Sequence, residues 1–208
     1  MKTLLVTGVS SGLGKAIIES QSKEFQILGI SRKPSSEIIF SYEDIAKFPE
    51  FQVVVLNAAM GDSGSDFFSI DETEFTEIIM SNLVKPILFL KELNHKNRLS
   101  KLKSLIIIGS RFSSMSYITN QSQADLPGYG YCISKAALAI FTQIIRKESL
   151  PFTVNIIHPG VLNSQMGNDL GLDVNEVAKK LLSDIQNDVF SKQMDGIYDL
   201  NTGGIIPF

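Results

Sequence analysis

The sequence predicts an α/β protein: a doubly wound parallel sheet between two helical layers, α/β/α, forming a single domain over residues 1–208. Three observations lead there. Short runs rich in Val, Ile and Leu recur at 3–7, 25–30, 53–57, 105–109, 152–157 and 196–200. They are apolar without alternation, as strands buried on both faces are. Helical patterns separate most of them, and strand–helix alternation implies parallel pairing with right-handed crossovers. Finally, 208 residues with 44% hydrophobic and 20% charged composition suit one globular domain with a sizeable core.

The elements follow in order. The run at 3–7 leads into a helix over 13–22. After 25–30 the chain is thin, with room for one short strand at Ile38–Phe40 and one helical turn near Asp44–Lys47. Residues 75–99 carry one or two helices, with Pro86 as a start or a kink. Further helices are predicted over 131–149 and 174–189. Asp71 with Glu74, and Asp173 with Glu176, have the spacing of a capping box with Asp in the cap position.

Several function classes fall away on composition. A net charge of −3 offers no basic surface for nucleic acid. No apolar run approaches a membrane span, and "MKTLLVTGVSSG" is broken too early for a secretion signal. One cysteine, Cys132, can close no internal disulfide, and with two histidines it cannot build a zinc site of the usual spacing. A reducing cytoplasm is the expected location.

Three motifs carry chemistry. "TGVSSGLG", Thr7–Gly14, follows the first strand and opens the first helix. Its glycines allow a tight turn and close approach of a ligand, and the helix N-terminus offers free N–H groups to a pyrophosphate. "NAAMG", Asn57–Gly61, puts small residues at a strand's C-terminal end, where open α/β sheets bind ligands. "GYGYCISKAAL", Gly128–Leu138, holds Tyr131 and Lys135 on one helix face, since residues four apart are neighbours. Each also has a plain structural reading: a turn, a strand-to-loop corner, and a packed tyrosine with a snorkelling lysine.

Taken in order with Asn82, Ser110 and Pro159-Gly160, these motifs resemble the short-chain dehydrogenase/reductase family over nearly the whole chain. The resemblance implies a Rossmann-like fold, a nicotinamide cofactor, and hydride transfer to or from a small carbonyl or alcohol substrate. It implies that Tyr131 is the acid/base and that Lys135 holds the nicotinamide ribose and favours the phenolate. Ser110 would hydrogen-bond the substrate oxygen, and Asn82 would anchor a proton-relay water. Gly8, Ser10, Ser11, Gly12, Leu13 and Gly14 would hold the cofactor phosphates, with Asn57, Ala58 and Ala59 beside them. Pro159, Gly160, Leu162 and Ser164 would pass the nicotinamide. Tyr131 and Lys135 count in both sets. His158 and His95 read as structural and solvated, and Cys132 as a small core residue.

The chain departs from the family in three places. The helix between the third and fourth strands is nearly absent, and the segment after Pro159-Gly160 is short. The interval from Ser110 to Tyr131 is long, so Ser113 or Ser114 stays open as the catalytic serine. The second strand ends in Ser31, Arg32 and Lys33, with no carboxylate to bond a ribose 2′-OH and two cations for a 2′-phosphate; NADP(H) is expected over NAD(H). Surplus apolar positions at 87–93 and 137–145 suggest a homodimer or larger homo-oligomer. The alternatives are a non-catalytic NADP(H)-binding sensor or regulator, and an epimerase or dehydratase acting on nucleotide sugars.

Overall fold

The computed structural model describes residues 1–20, 22–32, 36, 38–62, 66–164 and 171–208. Eight strands form one sheet, β1 (Lys2–Thr7), β2 (Phe25–Ile30), β3 (Ile39–Phe40), β4 (Val53–Leu56), β5 (Ser104–Ile108), β6 (Thr153–His158), β7 (Ile197–Asp199) and β8 (Ile205–Ile206). Their order is β3-β2-β1-β4-β5-β6-β7-β8. Every pairing is parallel except β7–β8. The strand order reverses between β1 and β4, which opens a crevice over their C-terminal ends.

Neighbouring residues on β1 serve opposite layers, because strand side chains alternate. Leu4 and Val6 pack with Ile17 of α1 (Gly12–Glu19) and Leu181 of α6 (Val174–Gln186). Leu5 packs with Leu93 of α3 (Lys85–His95) and Leu138 of α5 (Tyr129–Ile145). Each such side chain, fully removed from water, contributes roughly 1.5–3 kcal/mol. This two-sided burial is the reason the strands read as unbroken apolar runs.

The thin segment before β4 holds β3 and one 3-10 turn, Ile45–Lys47. Helix α2 (Glu72–Ile79) is capped by Asp71, whose carboxylate accepts the Glu74 N–H at 2.8 Å. Asp173 caps α6 but accepts from Asn175 N–H at 2.7 Å, and Glu176 pairs with Lys179 instead. The predicted box is therefore only half formed there.

Pro86 sits in the first turn of α3, the start expected of it, and the structure adds a π-helical turn, Met80–Val84, that joins α2 to α3 without a break. The long interval after Ser110 folds into a 3-10 turn, Arg111–Ser113, and a one-turn helix, α4 (Met115–Ile118).

Candidate active site

The glycine turn is built by contacts that leave no room for side chains. Gly8 has φ +72°, and a Cβ there would stand 2.6 Å from the Ala58 Cα. Thr7 Oγ1 accepts the N–H groups of Asn57 at 3.0 Å and Ala58 at 3.1 Å. Asn57 Nδ2 in turn donates to the carbonyls of Thr7 at 3.0 Å and Gly8 at 3.3 Å. Gly14 lies inside this turn, against Gly8 and the Asn57 amide, and does not line the cleft. These bonds lock the C-terminal ends of β1 and β4 together.

Two cavities meet there. One, of about 500 Å³, is lined by Gly8, Ser10, Ser31, Arg32 and Ala58. The other, of about 680 Å³, is lined by Gly12, Leu13, Ser110, Tyr131, Lys135 and His158, and by Pro159, Gly160, Leu162 and Ser164. Ser11, Ala59 and the flanking loops border both or adjoin them. Lys33 lies outside the described residues, as do residues 165–170 of the segment after Gly160.

The groove between the cavities suits a dinucleotide. The N-terminus of α1 has no side-chain cap from Ser11 and no acid in its first turn, so its donors remain available to an anion. The space above Gly12 is open to 4.0 Å. Lys135 is buried, and its ammonium donates to one acceptor, the Ile108 carbonyl at 2.8 Å. An ammonium has three donors, which leaves two for hydroxyls such as those of a ribose.

Tyr131 is half-buried, with the Lys135 ammonium 5.6 Å from its ring centre. Burial pushes the phenol pKa up; the facing Ser110 hydroxyl pulls it down, and Cys132 and Asp62 push it up. Lys135 is itself weakened by burial, from 10.5 to about 8. The phenol is thus raised by desolvation, and the group that pulls it down is Ser110 rather than the lysine expected to.

Among the three serines, geometry separates roles. Ser113 Oγ accepts the Ser110 N–H at 3.1 Å, and Ser114 Oγ accepts the Tyr117 N–H at 3.1 Å. Both support the local turns, as Ser110 Oγ also does by accepting the Phe112 N–H at 3.3 Å. Ser110 is the one whose hydroxyl faces Tyr131.

Asn82 is buried in the π-turn. Its Oδ1 accepts the Met60 N–H at 2.7 Å, and its Nδ2 donates to the Met60 carbonyl at 2.8 Å and to Ser134 Oγ at 3.1 Å. Ser134 Oγ donates on to the Tyr131 carbonyl at 2.8 Å. The side chain therefore ties the loop after β4 to α5.

Two wall residues gave no signal in the sequence. Asp62 accepts the Tyr131 N–H, and Arg111 borders the larger cavity beside Ser110. Asp62 reaches the site through a contact 69 residues distant, and Arg111 is held there by Phe112 and Tyr117. Cys132 is half-buried, and burial raises its thiol to about 11, which makes it a poor nucleophile. His95 is exposed. Tyr129 stacks edge-on against Phe67, away from this cavity.

The short chain dehydrogenase family model matches residues 40–175. No curated protein sequence matches the chain. Among solved structures, a carbonyl reductase from Pseudomonas aeruginosa PAO1 is similar with a TM-score of 0.80 at 18% identity, covering 100% of both chains. Carbonyl reductase Sniffer of D. melanogaster gives 0.80 at 18%, again over 100% of both. A putative short-chain dehydrogenase/reductase from Burkholderia multivorans with bound NADP gives 0.79 at 18%, covering 100% of this chain and 99% of that one. At such identities the likeness speaks for the fold, and the family match speaks for membership. The chain belongs to the short-chain dehydrogenase family.

Proposed function

We propose that the protein is an NADP(H)-dependent cytoplasmic reductase of small carbonyl compounds, its residues 1–208 working as one cofactor-binding domain. When bound, NADPH supplies the hydride that reaches the carbonyl carbon. Ser110 holds the substrate oxygen, and Tyr131 gives it a proton, so that the carbonyl becomes an alcohol. Lys135 binds the ribose and steadies the phenolate left on Tyr131. Asn82 positions the loop after β4 against α5. The observation that carries this reading is the convergence of Ser110, Tyr131 and Lys135 on one cavity wall beside an uncapped helix N-terminus. The carbonyl reductases among the structural relatives, and the NADP bound to one neighbour, support it.

The experiment is NADPH oxidation with a panel of aldehydes, ketones and quinones, for the wild type and three variants. Tyr131→Phe should lower kcat by about 10²–10⁴-fold while leaving NADPH binding nearly intact. Ser110→Ala should also lower kcat, whereas Ser113→Ala should act mainly on stability. A Phe variant that keeps more than about a tenth of wild-type turnover would remove Tyr131 as the acid. NADPH binding without turnover of any compound would favour the sensor.

A further inference from the structure

Arg111 follows Ser110 directly and borders the same cavity. Its guanidinium carbon stands 5.3 Å from the ring centres of both Phe112 and Tyr117. Those rings meet edge to face at 5.6 Å. The cation is thus fixed between two aromatic faces, which attract it electrostatically but do not neutralise it. None of the ion pairs among the described residues includes Arg111. Its Nε is buried and has no hydrogen-bond partner.

His158, at the end of β6, borders the same cavity and is 7% exposed. Its Nδ1 is also buried without a partner. Burial is the main reason its pKa falls to about 4; the nearby Asp199 opposes that fall and Arg111 adds to it. The imidazole is therefore neutral at pH 7 and adds no charge of its own beside Arg111. Asp199 does not serve Arg111: its Oδ1 accepts the N–H groups of Asn201 at 3.0 Å and Thr202 at 3.4 Å, and it is beyond ion-pair distance of the guanidinium.

The cavity therefore carries a held cation without an ion pair and, beside it, a neutral imidazole. The guanidinium's charge meets no carboxylate within ion-pair distance among the described residues, and an anion in the cavity can pair with its outer nitrogens. Guanidinium and carboxylate also match in shape, two donors to two acceptors. We propose that Arg111 and His158 form an anion subsite beside Ser110, so that the substrate is a carbonyl compound bearing a carboxylate. This rests on the reductase reading above. The carboxylate is unchanged in the reaction; it orients the carbonyl towards Ser110 and Tyr131.

The test compares 3- and 4-carboxybenzaldehyde with their methyl esters, which keep the aldehyde and remove the charge. For the wild type, kcat/KM should favour at least one acid over its ester by about tenfold or more. Arg111→Gln should remove that preference by lowering the acid's kcat/KM, leaving the ester within about threefold. Arg111→Lys keeps the charge and should restore part of the preference, which separates loss of the cation from loss of folding. Calorimetric titration of isophthalate and terephthalate into the protein with NADP⁺ gives a readout independent of turnover, and Arg111→Gln should abolish that binding too. Ester turnover without an acid preference, or an equal loss for acid and ester in Arg111→Gln, overturns the subsite while leaving the reductase reading intact. Dicarboxylate binding that depends on Arg111, with no turnover of any aldehyde, sustains the subsite and overturns the reductase. Absence of both turnover and Arg111-dependent binding overturns both.

Discussion

The Asp62 carboxylate accepts the backbone N–H of Tyr131 at 3.1 Å, across 69 residues of sequence. The N-cap of helix α5 is Gly128, which has no side chain to cap it. Asp62 takes over that task from the loop after β4. Gly128 leaves the space: a Cβ there would collide with the carboxylate. The contact fixes the turn of α5 that carries the phenol, and it sets a negative charge near it.

Asp62 consequently has separable effects on stability and on ionisation. Asp62→Ala removes a cap and should cost about 1 kcal/mol, read as a lower denaturation midpoint. Asp62→Asn keeps an acceptor oxygen but removes the charge that raises the Tyr131 pKa. Loss of that charge makes the phenolate easier to form, so the pKa governing alcohol oxidation should fall. A pH–rate profile unchanged in Asp62→Asn would show that the carboxylate acts only as a cap.

Lys135 should weaken the fold at neutral pH. Burial lowers its folded pKa from 10.5 to about 8, so between those values the unfolded chain holds the extra proton. Stability then rises with pH across that window, and the penalty is fully present below pH 8. Its size is about 3 kcal/mol. Lys135→Met should therefore raise the urea midpoint at pH 7 while abolishing turnover. The gain should shrink towards pH 10. A stability gain that stays the same at both pH values would place its origin in packing.

Much of this arrangement could be read from sequence, and the remainder has a common cause. The buried strands announce themselves because their residues are apolar on both faces, and Asp71 announces α2 because a cap works three residues away. The π-turn at Met80–Val84 does not, since it accompanies Asn82 bonding Met60 and Ser134, 22 and 52 residues distant. Strand β8 is two residues long and partly exposed, so it lacks the apolar run that marks the others. Asp62, Arg111 and His158 look like ordinary loop and strand-end residues until the fold sets them against Tyr131 and the cavity. Tyr131 and Lys135 stand out through their spacing and order along the chain, whereas the sequence leaves Ser113 and Ser114 open beside Ser110.

Association is the next expectation. Leu88 on α3, and Ile133, Ile140 and Ile144 on α5, are between 48% and 62% exposed. These helices lie on the same side of the sheet, packed over Leu5 and Val54. Covering such side chains with a second copy would remove them from water at roughly 25 cal/mol per Å². We expect a homodimer in solution, with Ile140→Glu combined with Ile144→Lys giving a monomer that keeps its fold. Light scattering at micromolar concentration decides it: a monomeric wild type would overturn the expectation.

Cofactor choice depends on the end of β2. Ser31 is buried and its N–H donates to the Phe40 carbonyl at 3.0 Å, which fixes the turn. Arg32 follows it, exposed, on the rim of the 500 Å³ cavity that also contains Gly8 and Ser10. Tyr42 lines that cavity near Arg32, whose charge lowers the phenol pKa against the larger effect of burial. No carboxylate ends this strand to bond a ribose 2′-OH or repel a phosphate, and the guanidinium can offer a phosphate two parallel donors. A charge-assisted bond of this kind contributes about 1.5–3 kcal/mol. The wild type should then prefer NADPH over NADH by about ten- to a hundredfold in kcat/KM. Because Arg32 is open to solvent, part of that preference should fade as salt rises. Arg32→Ala should bring the ratio close to one by weakening NADPH use, with NADH use little changed. Equal use of the two cofactors by the wild type, or an unaltered ratio in Arg32→Ala, would show that this arginine does not read the phosphate.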